Sequence, residues 1–194
     1  MKKIFLFVFC LFVGTSYGAQ ITDMPERLGR FSKNLESVSA SFNQIKLLPE
    51  STKRFVATGR VKFTKNQGFI WMQNTPKKQV FVSTKEKYCV DGVAQDLNSL
   101  PYFSYVRKII DDVLNGDISR LQTVFAVEYI EYGKNSWQLT ARPRFDAIAD
   151  ILQDVVMYGT TDDLDKIIIT YNNGTVVIIN FKRMNTEISD EIAC

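Results

Sequence analysis

The sequence predicts an α+β domain built on one curled antiparallel sheet, with a helix at its start and another in its middle. Three observations lead there. Short segments of period two, separated by turn signals, follow one another from residue 39 to 82 and again from 123 to 181. Two stretches break that period with apolar residues at helical spacing, around 26–38 and 102–114. Several strand segments (69–72, 80–82, 167–169 and 176–179) are apolar on both faces, as in strands covered on both sides. The helices are too few to cover a whole sheet, so it must curl and enclose something, either its own side chains or a ligand.

The chain opens with Lys2 and Lys3, an apolar run from Ile4 to Val13, and small residues around Ser16-Tyr17-Gly18-Ala19. That order is a secretory signal peptide, and its apolar run is too short to span a bilayer. Cleavage after Gly18 is expected, giving a leader over 1–18 and one domain over 19–194. Cys10 lies inside the apolar run behind Phe9, so it is not a lipid-attachment cysteine. Removing Lys2 and Lys3 from the formal +3 leaves +1, which gives no electrostatic footprint for nucleic acid. Lys62, Lys65, Lys77 and Lys78 cluster along the chain and read as a solvated rim. Cys89 and Cys194 remain after cleavage. In an oxidising compartment that even pair is a candidate disulfide, two free thiols being the other reading.

The first helix has Thr22 or Asp23 as cap, Pro25 in its first turn, Glu26 at its positive end, and a stripe of Leu28, Phe31, Leu35 and Val38. A strand runs from about 39 to Pro49. The next, 55–64, alternates cleanly: Phe55, Ala57, Gly59, Val61 and Phe63 against Thr58, Arg60, Lys62 and Thr64. Asn66-Gln67-Gly68 turns the chain into a strand over 69–73, in which Ile70 and Met72 oppose Phe69 and Trp71. Strands follow at 80–82 and 88–90, the latter ending in the turn signal Asp91-Gly92. The central helix, 102–114, carries Phe103, Val106, Ile110, Val113 and Leu114 on one stripe, with Pro101 before it and Gly116 after. A further helical turn is expected at 118–122 and a short helix at 147–152. Strands are expected at 123–132, 136–142, 153–158, 166–171 and 175–181, for eight to ten strands in all.

Catalytic chemistry is sparse. The chain holds no histidine, which removes the commonest general base and the histidine-dependent triads and zinc sites. No Gly-rich phosphate loop, GxSxG or CxxC is present. The acidic pairs Asp111-Asp112 and Asp162-Asp163 read as solvated acids near helix ends and turns. The chain is therefore expected to be no enzyme and to need no cofactor or metal.

Between residues 37 and 92 stand Ala40-Ser41-Phe42-Asn43-Gln44, Gly59-Arg60-Val61-Lys62-Phe63, Gly68-Phe69-Ile70-Trp71, and Pro76. This order of F-x-Q, G-x-apolar-x-aromatic, an aromatic two before a tryptophan and a proline about five on resembles the LolA family of lipoprotein carriers. The resemblance implies an unclosed, half-open β-barrel whose N-terminal helix and central helical lid cover an apolar hollow. It implies a periplasmic carrier of Gram-negative bacteria, a monomer that shields the acyl chains of lipoproteins or lipids. Its partners would be an inner-membrane lipoprotein-releasing transporter and an outer-membrane acceptor. By resemblance Val61, Phe63, Phe69, Trp71, Val80 and Val82 would line the groove, and Phe103, Val106, Ile110 and Val113 would form the lid's apolar face. For each residue ordinary core packing is the competing reading.

The chain departs from the family in two places. A family arginine that latches the lid is matched by Lys65, a point charge without the planar fork, which makes Lys65 a candidate latch of different geometry. After 181 little remains, so the terminal strand and docking segment of the lipoprotein carriers are expected to be missing. The stretch 42–49 also resembles shorter relatives linked to lipid or polyene export. Lipid export accessory, envelope ligand sensor and histidine-free hydrolase stay open beside the carrier.

Overall fold

The computed structural model describes residues 25–84, 87–96, 101–186 and 188, with the backbone alone for 101–103. The expected leader, Thr22, Asp23, Cys10, Cys194 and the side chain of Phe103 lie outside the described residues.

In chain order the elements are α1 (Glu26–Asn34), β1 (Ser37–Leu47), β2 (Arg54–Thr64), β3 (Gly68–Thr75), β4 (Gln79–Thr84), β5 (Tyr88–Val90), β6 (Val93–Ala94), α2 (Pro101–Asn115), α3 (Ile118–Gln122), β7 (Phe125–Tyr132), β8 (Ser136–Pro143), α4 (Asp146–Ala149), β9 (Leu152–Thr160), β10 (Leu164–Tyr171) and β11 (Val176–Arg183). The strands make one eleven-stranded sheet, ordered β6-β5-β4-β3-β2-β1-β11-β10-β9-β8-β7. Pairing is antiparallel throughout. Two meanders are joined where the last strand pairs with the first, and β6 and β7 remain as edges, so the sheet is not a closed barrel. The expected eight to ten strands fall short because the turn at Asp91-Gly92 leads into a two-residue strand. Both turn residues hold positive φ (51° and 81°), the geometry of a tight hairpin turn that glycine adopts without a Cβ clash.

The two halves of the concave face differ. Over β7–β10 it is filled: Ile109, Leu121, Phe125, Trp137, Leu139, Val155 and Met157 are shut off from solvent. Helix α1 completes this half with Leu28 and Phe31, and the Phe31 ring meets Trp137 at 5.4 Å. Trp137 Nε1 donates to the Thr160 carbonyl at 2.6 Å, so the largest core side chain is also satisfied. Full burial is worth about 1.5–3 kcal/mol for each large apolar side chain, which makes this half the foundation of the domain. Arg27 pins α1 to the β7–β8 hairpin through Glu131 at 3.2 Å, and Glu131 also accepts from Tyr129 Oη at 3.0 Å. Burial first, then that acceptor, pushes the Tyr129 phenol above its ordinary range.

On the convex face Ile188, beyond the last strand, covers part of the surface for which strands apolar on both sides had suggested a second layer. Ser39, Lys62, Ile70, Val82 and Cys89 are successive cross-strand partners from β1 to β5 and share that face. Buried Lys62 donates from Nζ to the Ile188 carbonyl at 3.1 Å, and Ile188 is itself buried. Cys89 is disulfide-bonded and 1% exposed, with its partner outside the described residues. Further along, Val56, Ile45, Ile178, Ile168 and Val156 form a second apolar row across β2, β1, β11, β10 and β9. Val56 is exposed, and the other four are half-buried. The lysine cluster read from the sequence also dissolves. Lys62 is buried on the convex face, Lys65 contacts α1, and Lys77 and Lys78 are exposed at the opposite end of the sheet.

Candidate functional site

Over β1–β4 and β11 the concave face is not filled. There the strands present half-buried Val38, Val61, Phe69, Trp71, Phe81 and Phe181 to a hollow that α2 overhangs with Ile110. Its wide part has a cavity volume of about 530 Å³, within the usual range of ligand pockets. A narrower recess of about 80 Å³ runs on under Phe31, Leu35 and Leu114. The recess ends at Asp162, Asp163 and Arg183, where Arg183 Nε meets Asp163 Oδ1 at 2.6 Å and Nη2 donates to the Asp162 carbonyl at 2.7 Å. The wide part reaches exposed Lys46 and Asn173, beside Gln44 and Gln73. The hollow therefore has an ion-paired end, an apolar body and a polar mouth.

Four of the six groove candidates, Val61, Phe63, Phe69 and Trp71, lie on its lining. Val80 and Val82 do not. In the antiparallel register Trp71 faces Phe81, whereas Met72 faces Val80 and Ile70 faces Val82, which turns both valines to the convex side. The residue this strand gives to the hollow is Phe81. Of the lid candidates, Val106 and Ile110 face the hollow, and Val113 is fully buried in the core.

Lys65 holds a helix, but a different one from the expected lid. Its Nζ donates to the Ser32 carbonyl at 2.7 Å and its backbone N–H to the Glu36 carbonyl at 2.9 Å, so it caps the C-terminal end of α1. A cation there meets both the unpaired last-turn carbonyls and the negative end of the dipole. The contact with α2 falls to the next residue: Asn66 N–H donates to Asn115 Oδ1 at 2.8 Å.

Polar groups make the seat of α2. Arg107 donates to the Thr84 carbonyl and pairs with Asp111 at 3.3 Å. Burial pushes the Asp111 carboxyl up, and Arg107 pulls it back. Among the described residues buried Ser83 Oγ, Arg107 Nε and Asp111 Oδ1 have no hydrogen-bond partner, so this seat is incompletely satisfied there. Asp112, read from the sequence as a solvated acid, is 3% exposed and pairs with Lys108 at 2.7 Å and Arg120 at 3.4 Å. Helical spacing of Lys108 and Asp112 held that signal. Arg120, eight residues on, became its neighbour only when α3 folded back. Among the described residues no three His, Cys, Asp or Glu stand close enough to hold a metal ion, and no helix is long and apolar enough to cross a membrane.

Fold and hollow together define a class: an unclosed antiparallel half-barrel with helices over an apolar concavity. The chain is LolA-like, and the likeness runs along nearly all of it. An outer-membrane lipoprotein carrier protein of Francisella tularensis subsp. novicida (strain U112) is 24% identical over 199 residues, covering 97% of this chain and 88% of the relative. One from Pseudomonas paraeruginosa (strain DSM 24068 / PA7) is 26% identical over 167 residues, covering 84% and 79%. No protein-family model matches the chain. Among solved structures, a LolA superfamily protein from Nitrosomonas europaea aligns with a TM-score of 0.46 at 12% identity, covering 90% of this chain and 98% of its own. MucB aligns with a TM-score of 0.47 at 13% identity, covering 85% and 59%.

Proposed function

We propose that this protein is a periplasmic carrier that holds the acyl chains of lipoproteins or lipids in its hollow and moves them from the inner toward the outer membrane. It is exported by its first 18 residues and works as one domain. The observation that carries this reading is the hollow of about 530 Å³ on the concave face, beside which apolar side chains such as Phe69, Trp71 and Phe81 stay half-buried. Each methylene moved from water into such a surface gains about 0.8 kcal/mol, so acyl chains are the cargo the lining suits. Release needs a competitor, and α2 supplies one: Val106 and Ile110 cover the surface a chain would occupy, from a helix whose seat is polar and incompletely bonded. The sequence similarity to outer-membrane lipoprotein carrier proteins supports the same reading. Native mass spectrometry of gently purified protein, with displacement of an environment-sensitive apolar dye, tests it. Bound acylated molecules and displaceable dye are expected. Protein free of lipid, with dye binding no better than to an unrelated globular protein, ends the proposal.

A further inference from the structure

The mouth of the hollow is bordered by a basic rim with an exposed aromatic at its centre. The β1–β2 and β3–β4 turns lie at the same end of the sheet, and the first carries Lys46, Lys53 and Arg54, the second Lys77 and Lys78. All five are exposed, and none is in an ion pair among the described residues. The acids at this end of the sheet are Glu50 and Asp91 beside the two turns, with Asp146, Asp150 and Asp154 further off around the β8–β9 connection. The Asp91 carboxylate is engaged by the Val80 N–H at 2.7 Å. Phe55 stands opposite Lys46 in the register and is 50% exposed, with Val56 beside it at 45%. At the other end, by contrast, Arg183 is paired with Asp163 and donates to the Asp162 carbonyl.

We infer that this rim is a docking surface for an anionic phospholipid leaflet, set so that the mouth faces the bilayer. Lysines on flexible stems around an exposed aromatic fit a fluid sheet of phosphates, with the ring entering the interface. An acidic protein partner would need shape as well as charge, whereas these five cations stand exposed on two turns that flank an apolar mouth. This inference rests on the rim residues and not on the identity of the cargo.

Flotation of the purified exported protein with vesicles tests it. Vesicles of equal parts phosphatidylglycerol and phosphatidylcholine are compared with phosphatidylcholine alone, at low and high salt. Binding to the anionic vesicles that weakens with salt is expected, and none to the neutral ones. Each basic residue near such a surface contributes roughly fivefold in affinity, so Lys53→Glu/Lys77→Glu/Lys78→Glu should reduce binding by a hundredfold or more, and Phe55→Ser by a smaller factor. The distant pair Lys134→Glu/Lys182→Glu should change it little. Dye uptake in vesicle-free solution, which reads the hollow, should persist in all three variants. A wild type that ignores anionic vesicles overturns the inference, as does a triple variant that still floats or capture that needs an acidic protein. Failure of dye uptake in the wild type strikes the carrier reading alone and leaves the rim standing.

Discussion

Phe42 and Trp71 stack with ring centroids 3.8 Å apart and planes at 27°, although their strands are not neighbours. Strand β2 lies between them, and Phe42 faces Gly59 there. A Cβ at Gly59 would stand 2.7 Å from the Phe42 ring and collide with the Met72 carbonyl. The missing side chain lets an aromatic from β1 lie across β2 and reach the hollow's tryptophan. Gly59→Ala should therefore cost about 1–3 kcal/mol through overpacking. A lowered thermal midpoint with blue-shifted or broadened tryptophan emission is the expected result, and an unchanged midpoint would show that the strands shift freely to make room.

The hollow can be separated from the core by face. Phe69→Glu and Phe81→Glu put an uncompensated charge where acyl chains would lie, so both should fold and lose dye or lipid uptake by tenfold or more. Val80→Glu, on the convex side of the same strand as Phe81, should keep uptake. Midpoint and uptake are measured side by side. Collapse of the Phe69 variant's midpoint means core packing, and equal loss at Val80 and Phe81 means the faces are misassigned.

Cys89 is too deeply buried to bond a second molecule. The proposed partner is Cys194, six residues along the chain from Ile188, whose carbonyl accepts from Lys62. Closing a loop of about a hundred residues adds roughly 4–5 kcal/mol in the chain-entropy model. Thiol counting on protein taken from the periplasm should find no alkylatable cysteine until reductant is added, and Cys194→Ser should lower the midpoint. Two thiols free before reduction would dismiss the pairing.

Asp112 should set part of the pH dependence of stability. Burial raises its carboxyl above the unfolded value of 3.8, against the pull of Lys108 and Arg120. A raised carboxyl favours the protonated folded state, so this contribution is full below pH 3.8 and is lost as pH rises through the folded value. The stability of Asp112→Asn relative to wild type should accordingly grow as pH rises above 3.8. Denaturant titrations across that range measure the difference, and a variant that loses ground with rising pH would show that the ion pairs outweigh burial.

Loosening the seat of α2 should favour uptake. Arg107→Met removes the bond to the Thr84 carbonyl and the pair with Asp111 while keeping much of the side-chain stem. A midpoint lower by a few degrees with faster dye entry is expected. Slower entry would assign Arg107 to the open form.

Where one face of a strand is polar, the sequence can be read directly. In β2, Thr58, Arg60 and Lys62 alternate with apolar partners, and that parity holds in the structure. Of the stripe expected on the first helix, Leu28 and Phe31 lie on α1, whereas Leu35 follows its end and Val38 belongs to β1. Strand β4 misleads because its concave residues are Gln79, Phe81 and Ser83 while its convex ones are Val80 and Val82. The convex face is the more apolar of the two, and only the register with β3 reveals the inversion. Lys65 was legible as a residue that holds a helix, but not which helix, since that depends on where the C-terminal end of α1 comes to rest. Lys62 resisted reading for the same reason: its partner is 126 residues away, and no local period records such a distance.

The free edges at β6 and β7 bear on how the proposed carrier would meet cargo of different bulk. In a closed barrel the radius follows from strand number and stagger, and widening it means breaking a seam. A sheet with two ends can change its curvature with every ladder bond intact, as a cupped palm widens without parting the fingers. With β7–β10 braced by packed side chains, the bending would concentrate in β1–β5, the half that holds Phe69, Trp71 and Phe81. Such a vessel is graded by flexure and not by bore, and one chain or several could be gripped by the same wall.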